Sequence, residues 1–169
     1  MTISMHSASA PILLQQLGAM LGWLDKAEAH AQARKFDTAV YLGQRLAPDM
    51  LPFASQIRIA SDAAKGCVAR LAGQEPPKFE DNEATLDDLR QRIRKTIDYV
   101  KSVPAEAIDG SEERDITIPM RTREAYRFKG EYFLKHWALP NFFFHCTMAY
   151  ALLRHNGVEL GKPDFLVVS

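Results

Sequence analysis

The stretch Pro140-Asn-Phe-Phe-Phe-His-Cys-Thr-Met-Ala-Tyr-Ala-Leu-Leu-Arg-His-Asn-Gly157 decides the fold. Proline near its start and glycine at its end bracket a helix. Three successive phenylalanines, Phe142 to Phe144, span most of a helix circumference, and Met148, Leu152 and Leu153 continue the apolar surface. That pattern predicts a central, nearly all-buried helix, which other helices must surround.

Upstream, the period changes. Between Asp109 and Tyr132, Ile116, Ile118 and Met120 alternate with polar neighbours, and Tyr126 and Phe128 alternate again after a polar Arg121–Glu124 connection. This predicts a small β-hairpin. Lys129-Gly130-Glu131 reads as a strand irregularity at its end. Before it, Leu86, Leu89, Ile93, Ile97 and Val100 form a third helical stripe, with Thr85 as N-cap, Asp87 and Asp88 facing the helix dipole, and Pro104 as terminator. Gln74 to Asn82, with Pro76 and Pro77, reads as a loop.

A second helix is expected from Pro48, with Pro52 in its first turn, through Leu51, Ile57, Ala60, Ala64, Cys67 or Val68 and Leu71 to Gly73. A short piece spans Phe36 to Gln44. The first helix runs from about Pro11 to Ala31 on Leu13, Leu17, Met20 or Leu21, Leu24 and Ala27. The expected fold is mainly all-α: one domain, residues 1–169, a four-helix bundle with the hairpin in the crossover between helices three and four. Phe143 and Leu152 are expected in its core, and Arg92 on its surface.

At 169 residues the chain is long enough to bury about 70% of its unfolded surface. Its 21 basic and 21 acidic residues cancel, so net charge attracts neither nucleic acid nor an anionic membrane. No apolar run is long enough for a membrane span, and the first residues lack the basic opening of a secretory signal. Two cysteines, Cys67 and Cys146, lie in apolar helical contexts and do not make a disulfide framework. A cytoplasmic location is the expectation. Zero net charge and the aromatic fourth helix predict a homodimer formed by packing bundle faces.

Phosphate loops and the HExxH, CxxC and GxSxG motifs are absent. The most informative chemistry is the Asn141 and His145 pair, four residues apart and therefore on one helix face. Bundle metal sites use that spacing, but a neutral amide is a poor zinc ligand. His145 reads more simply as a core histidine satisfied by a carbonyl or hydroxyl, and Asn141 as a cap of the helix opened by Pro140. Asp49 reads as a helix-start carboxylate, and Gln56, beside Ile57, as an inward amide that needs partners. His6, His30, His136 and His155 have no partner at ligand spacing, and His155 suits the last turn of its helix.

Two segments carry a family resemblance: Leu46-Ala-Pro-Asp-Met-Leu-Pro52 and Tyr150-Ala-Leu-Leu-Arg-His-Asn-Gly-Val-Glu-Leu-Gly-Lys-Pro-Asp-Phe165. With them the chain resembles the DinB/YfiT-like superfamily, in an uncharacterised bacterial branch. The resemblance implies a divalent metal held by three histidines, one from helix two and two from helix four, in thiol-dependent transferases or hydrolases. The helix-four pair falls on Asn141 and His145, and the helix-two ligand between Asp49 and Gln56, where no histidine stands. The triad is broken at two of three places. No cofactor is expected; a zinc or nickel ion, if held, would use His145 and Asp49. The expected role is binding a small molecule or partner between helices two and four, with His145, Asn141, Gln56 and Asp49 as the ligand-binding residues. The alternative is an altered metal-dependent hydrolase or thiol transferase.

Overall fold

The computed structural model describes residues 3–119 and 124–167. Its long helices are α1 (Ala10–Arg34), α3 (Phe53–Leu71), α4 (Leu86–Ser102) and α7 (Leu139–His155); short α2 (Ala39–Leu42), α5 (Ala105–Ile108), α6 (Gly130–Phe133) and α8 (Lys162–Leu166) connect or flank them. Strands β1 (Asp115–Ile118) and β2 (Tyr126–Lys129) form an antiparallel hairpin between α4 and α7, with Ile116 opposite Phe128 and Ile118 opposite Tyr126. The connection expected at Arg121–Glu124 lies, apart from Glu124, outside the described residues, as does Met120. A mainly helical bundle with a small hairpin is what the periodicities predict.

Helix α4 begins as expected. Thr85 Oγ1 accepts from the Asp88 amide at 3.0 Å, and the Asp88 carboxylate accepts from the Thr85 amide at 2.9 Å. The start of α3 differs: Pro52, with ψ 167, is the extended residue just before Phe53, and Pro48 and Asp49 lie in a turn. Proline disfavours helical conformation in the residue before it, so a helix through Leu51 and Pro52 would be strained. The fourth long helix starts at Leu139, beside Pro140 as expected, but the chain ahead of it is already helical. α6 leads through a π-helical turn, Leu134–Ala138, directly into α7. Pro140 has no N–H for the His136 carbonyl, and its ring crowds that carbonyl; the wider turn immediately before it relieves the clash.

Contacts at the helix ends set the directions. Arg90, early in α4, donates to Asp25 at 3.1 Å and to Glu28, late in α1, whereas the His6 amide before α1 bonds Asp109 after α5. Helices α1 and α4 are therefore antiparallel. Arg58 of α3 bonds Glu83 just before α4, and Arg114, after α5, reaches the Leu71 carbonyl at the end of α3, so α3 and α4 run parallel. Met20 meets Cys146 and Trp23 meets Tyr150, which makes α1 and α7 parallel. Consecutive parallel helices oblige residues 72–85 to travel back along the bundle.

That segment is held by Arg92, which is 4% exposed rather than on the surface as expected. Its guanidinium donates to Asp62 at 2.8 Å, Glu83 at 2.7 Å and the Glu80 carbonyl at 3.0 Å, and pairs with Asp81 at 3.1 Å. The ring of Phe79 lies across Lys65, Lys95 and Arg92. An arginine beside an apolar stripe reads as solvated only while nothing covers it; here the returning chain does.

The phenylalanine triplet is split. Phe142 is fully buried, Phe143 half-buried against the core, and Phe144 is 54% exposed, because residues about 100° apart cannot all face one core. Leu152 is buried as expected. Lys129-Gly130-Glu131 is no strand irregularity: Gly130 opens α6 and lies so close to β1's approach that a Cβ would stand 1.9 Å from the Ser111 carbonyl oxygen. The Glu131 amide donates to Glu112 O at 2.9 Å in the same contact.

Two expected outcomes follow from this packing. Gly130→Ala should lower stability by ~1–3 kcal/mol, since backbone must yield, while Gly18→Ala, on exposed α1 with nothing within 4 Å of a Cβ, should be neutral or stabilising. Equal denaturant midpoints for the two variants would refute the close approach. Arg92→Ala should cost about 1–3 kcal/mol by removing a buried side chain and one of the two arginine partners of the largely buried Glu83 side chain, against roughly 0.5 kcal/mol or less for exposed Arg94→Ala; thermal or denaturant melts compare them.

Candidate functional site

Antiparallel α3 and α7 bring Gln56 and His145 together. Gln56 is 2% exposed and His145 8% exposed. The Gln56 Nε2 donates to the Leu51 carbonyl at 2.9 Å, and its Oε1 lies 2.7 Å from His145 Nδ1. A carbonyl only accepts, so the amide nitrogen must face Leu51 and Oε1 must face the ring. His145 Nδ1 therefore carries the proton and donates, and in the neutral ring Nε2 keeps a lone pair. No protein group bonds Nε2 among the described residues. Burial pushes the His145 pKa below the ordinary imidazole value, which keeps the ring neutral at physiological pH.

The chain before α3 builds the rim. Phe53 N donates to Gln44 O at 2.9 Å and Arg45 reaches the Met50 carbonyl, which fixes the turn that presents Leu51. Leu51 is 49% exposed, and Phe144 stands edge-on to the His145 ring at 5.2 Å. Two exposed apolar side chains thus flank a buried polar pair.

Among the predicted residues, only Gln56 and His145 bond each other. Asn141 lies one turn before His145, half-buried, without a hydrogen bond to the pair. Asp49 is exposed in the turn ahead of α3 and has no ion pair with the site. Among the described residues no three His, Cys, Asp or Glu side chains gather at metal-ligating distance. One imidazole nitrogen with neutral amides beside it does not fit a divalent ion, which needs three or more good donors.

Both thiols are free and buried. Burial pushes Cys67 up to about 12 and raises Cys146 as well, and Cys146 Sγ contacts Met20 Sδ at 3.6 Å. Such thiols are poor nucleophiles. Sequence reasoning missed His30, whose Nδ1 lies 2.6 Å from the Tyr41 hydroxyl. The signal was the aromatic pair Phe36 and Tyr41 in the short piece after the first helix, which has to pack on something nearby.

Comparison with known proteins agrees with this architecture. The family described as a domain of unknown function (DUF1993) matches residues 5–166. A crystal structure of a DinB family member protein from Shewanella denitrificans is 37% identical, with a TM-score of 0.88, covering 97% of this chain and 92% of that one. No curated protein matches. With nearly its whole length matched and the bundle superposing on a DinB family member, the chain belongs to the DUF1993 family of DinB-like helical domains.

Proposed function

We propose that this DinB-like protein binds a small molecule at the rim between α3 and α7, with His145 Nε2 accepting a hydrogen bond from the ligand. The observation that supports this reading is an imidazole whose Nδ1 is committed to Gln56 and whose Nε2 has no partner among the described residues, beside the apolar Leu51 and Phe144. A ligand carrying a hydroxyl or amide donor and an apolar body suits that combination. Gln56 positions the ring. The altered metal-dependent hydrolase or thiol transferase has less support, because the donors near His145 are neutral amides and the thiols are buried.

An NMR screen of hydroxyl- and amide-bearing fragments should perturb the His145 ring signals. His145→Phe should abolish that binding and leave the helical circular dichroism unchanged. Hits that leave His145 silent would refute the proposed site. Stoichiometric zinc or nickel in protein purified without a tag, lost in His145→Ala, would favour the metal enzyme instead.

The lowered pKa of His145 also has a pH signature. As pH falls, the unfolded chain takes up the proton first, so this contribution to stability is complete above about 6.5 and is lost as pH drops through the lower folded value. Between pH 7.5 and 5.5, wild type should therefore lose more stability than His145→Phe in denaturant titrations. Equal losses would contradict the neutral, buried ring.

A further inference from the structure

A second imidazole borders a half-open surface pocket. At the C-terminal end of α1, a space of about 500 Å3 is walled by Ala29, Ala33 and Gly157 and bordered by Lys26, His30, Arg34 and Glu159. That volume lies within the range of small-molecule sites. Behind His30, the Tyr41 hydroxyl engages Nδ1, and Tyr41 itself is 1% exposed. Phe36 stands edge-on to the ring at 5.7 Å. The imidazole is thus fixed in orientation whichever tautomer it adopts, and Nε2 has no partner among the described residues.

Gly157 keeps that nitrogen uncovered. Its φ of +90 suits glycine, and a Cβ there would stand 3.3 Å from His30 Nε2. The charges around the space are not equivalent. Lys26 is already bonded to Asp164 at 2.6 Å and to the Glu159 carbonyl at 3.2 Å. Arg34 and the Glu159 carboxylate are both exposed and make no ion pair among the described residues, with each other or with anything else. One unpaired guanidinium and one unpaired carboxylate border one small pocket.

We propose that this pocket binds a small zwitterion of the free amino acid class. The ligand carboxylate meets Arg34, whose planar fork matches it, the ammonium meets Glu159, and a short aliphatic side chain lies on Ala29 and Ala33. His30 Nε2 offers a further hydrogen bond. With opposite charges balanced, a purely anionic or purely cationic ligand satisfies one partner and is repelled by the other.

The test is a titration of the full chain with L-leucine, N-acetyl-leucine and leucinamide, reading the His30 ring signals by NMR. Leucine should shift them saturably, and the two singly charged analogues should bind about tenfold more weakly. Arg34→Gln and Glu159→Gln, both at exposed positions, should each weaken leucine binding without changing the melting temperature. Absence of a saturable shift, equal binding of the analogues, or indifference to both substitutions would overturn the proposal. His145 signals in the same spectra separate this site from the rim between α3 and α7.

Discussion

Two consecutive helices that run in the same direction leave the chain between them with a long return journey, and this constraint governs much of the molecule. The segment between α3 and α4 has too little apolar side chain to hold itself down by burial. Its stretch from Glu75 to Glu83 is rich in acids, and the bundle meets it with Arg92, Arg58 and the cations around Phe79. Side chains of both helices and the strap share these contacts, so the strap locks α3 to α4 as much as it is held by them. Desolvating Arg92 is tolerable because acceptors lie around its terminal nitrogens.

Much of the helix content was legible because it depends on local pattern. The stripe from Leu86 to Val100, the Thr85 cap and the Gly73 and Gly157 stops are all properties of a few neighbouring residues. What escaped depends on chain that arrives from elsewhere. Arg92 reads as a surface arginine until Glu83 and Asp62 come to it. Gly130 reads as a strand defect until the Ser111 carbonyl occupies the place of its Cβ. Phe144 reads as buried only if the helix is surrounded on all sides, and the bundle leaves that side of α7 open.

The candidate site was half legible for the same reason. His145 pointing toward the second long helix, and Gln56 pointing inward, follow from apolar neighbours at helical spacing. Their hydrogen bond follows from the helix directions, which no local signal encodes. Asp49 was misplaced by four residues of proline-rich chain: the helix waits for Phe53, and the carboxylate stays out in the turn. An amide and an imidazole tie these two helices here.

The π-helical turn ahead of Pro140 has a consequence for how the hairpin is aimed. One surplus residue in a helical rod turns everything upstream by about 100° relative to everything downstream. The rod from Gly130 to His155 therefore has two phases. In the downstream phase Phe142, Cys146, Ala149 and Leu153 face the bundle core; in the upstream phase Tyr132 and Phe133 meet Phe128 of the hairpin, and Trp137, within the wide turn, meets Tyr126 and Phe128. A straight α-helix with the same end points could not keep both registers, so a local change of pitch aims the hairpin's aromatic face, and Phe128 and Trp137 pack against the same core to which Ile116 and Phe133 belong.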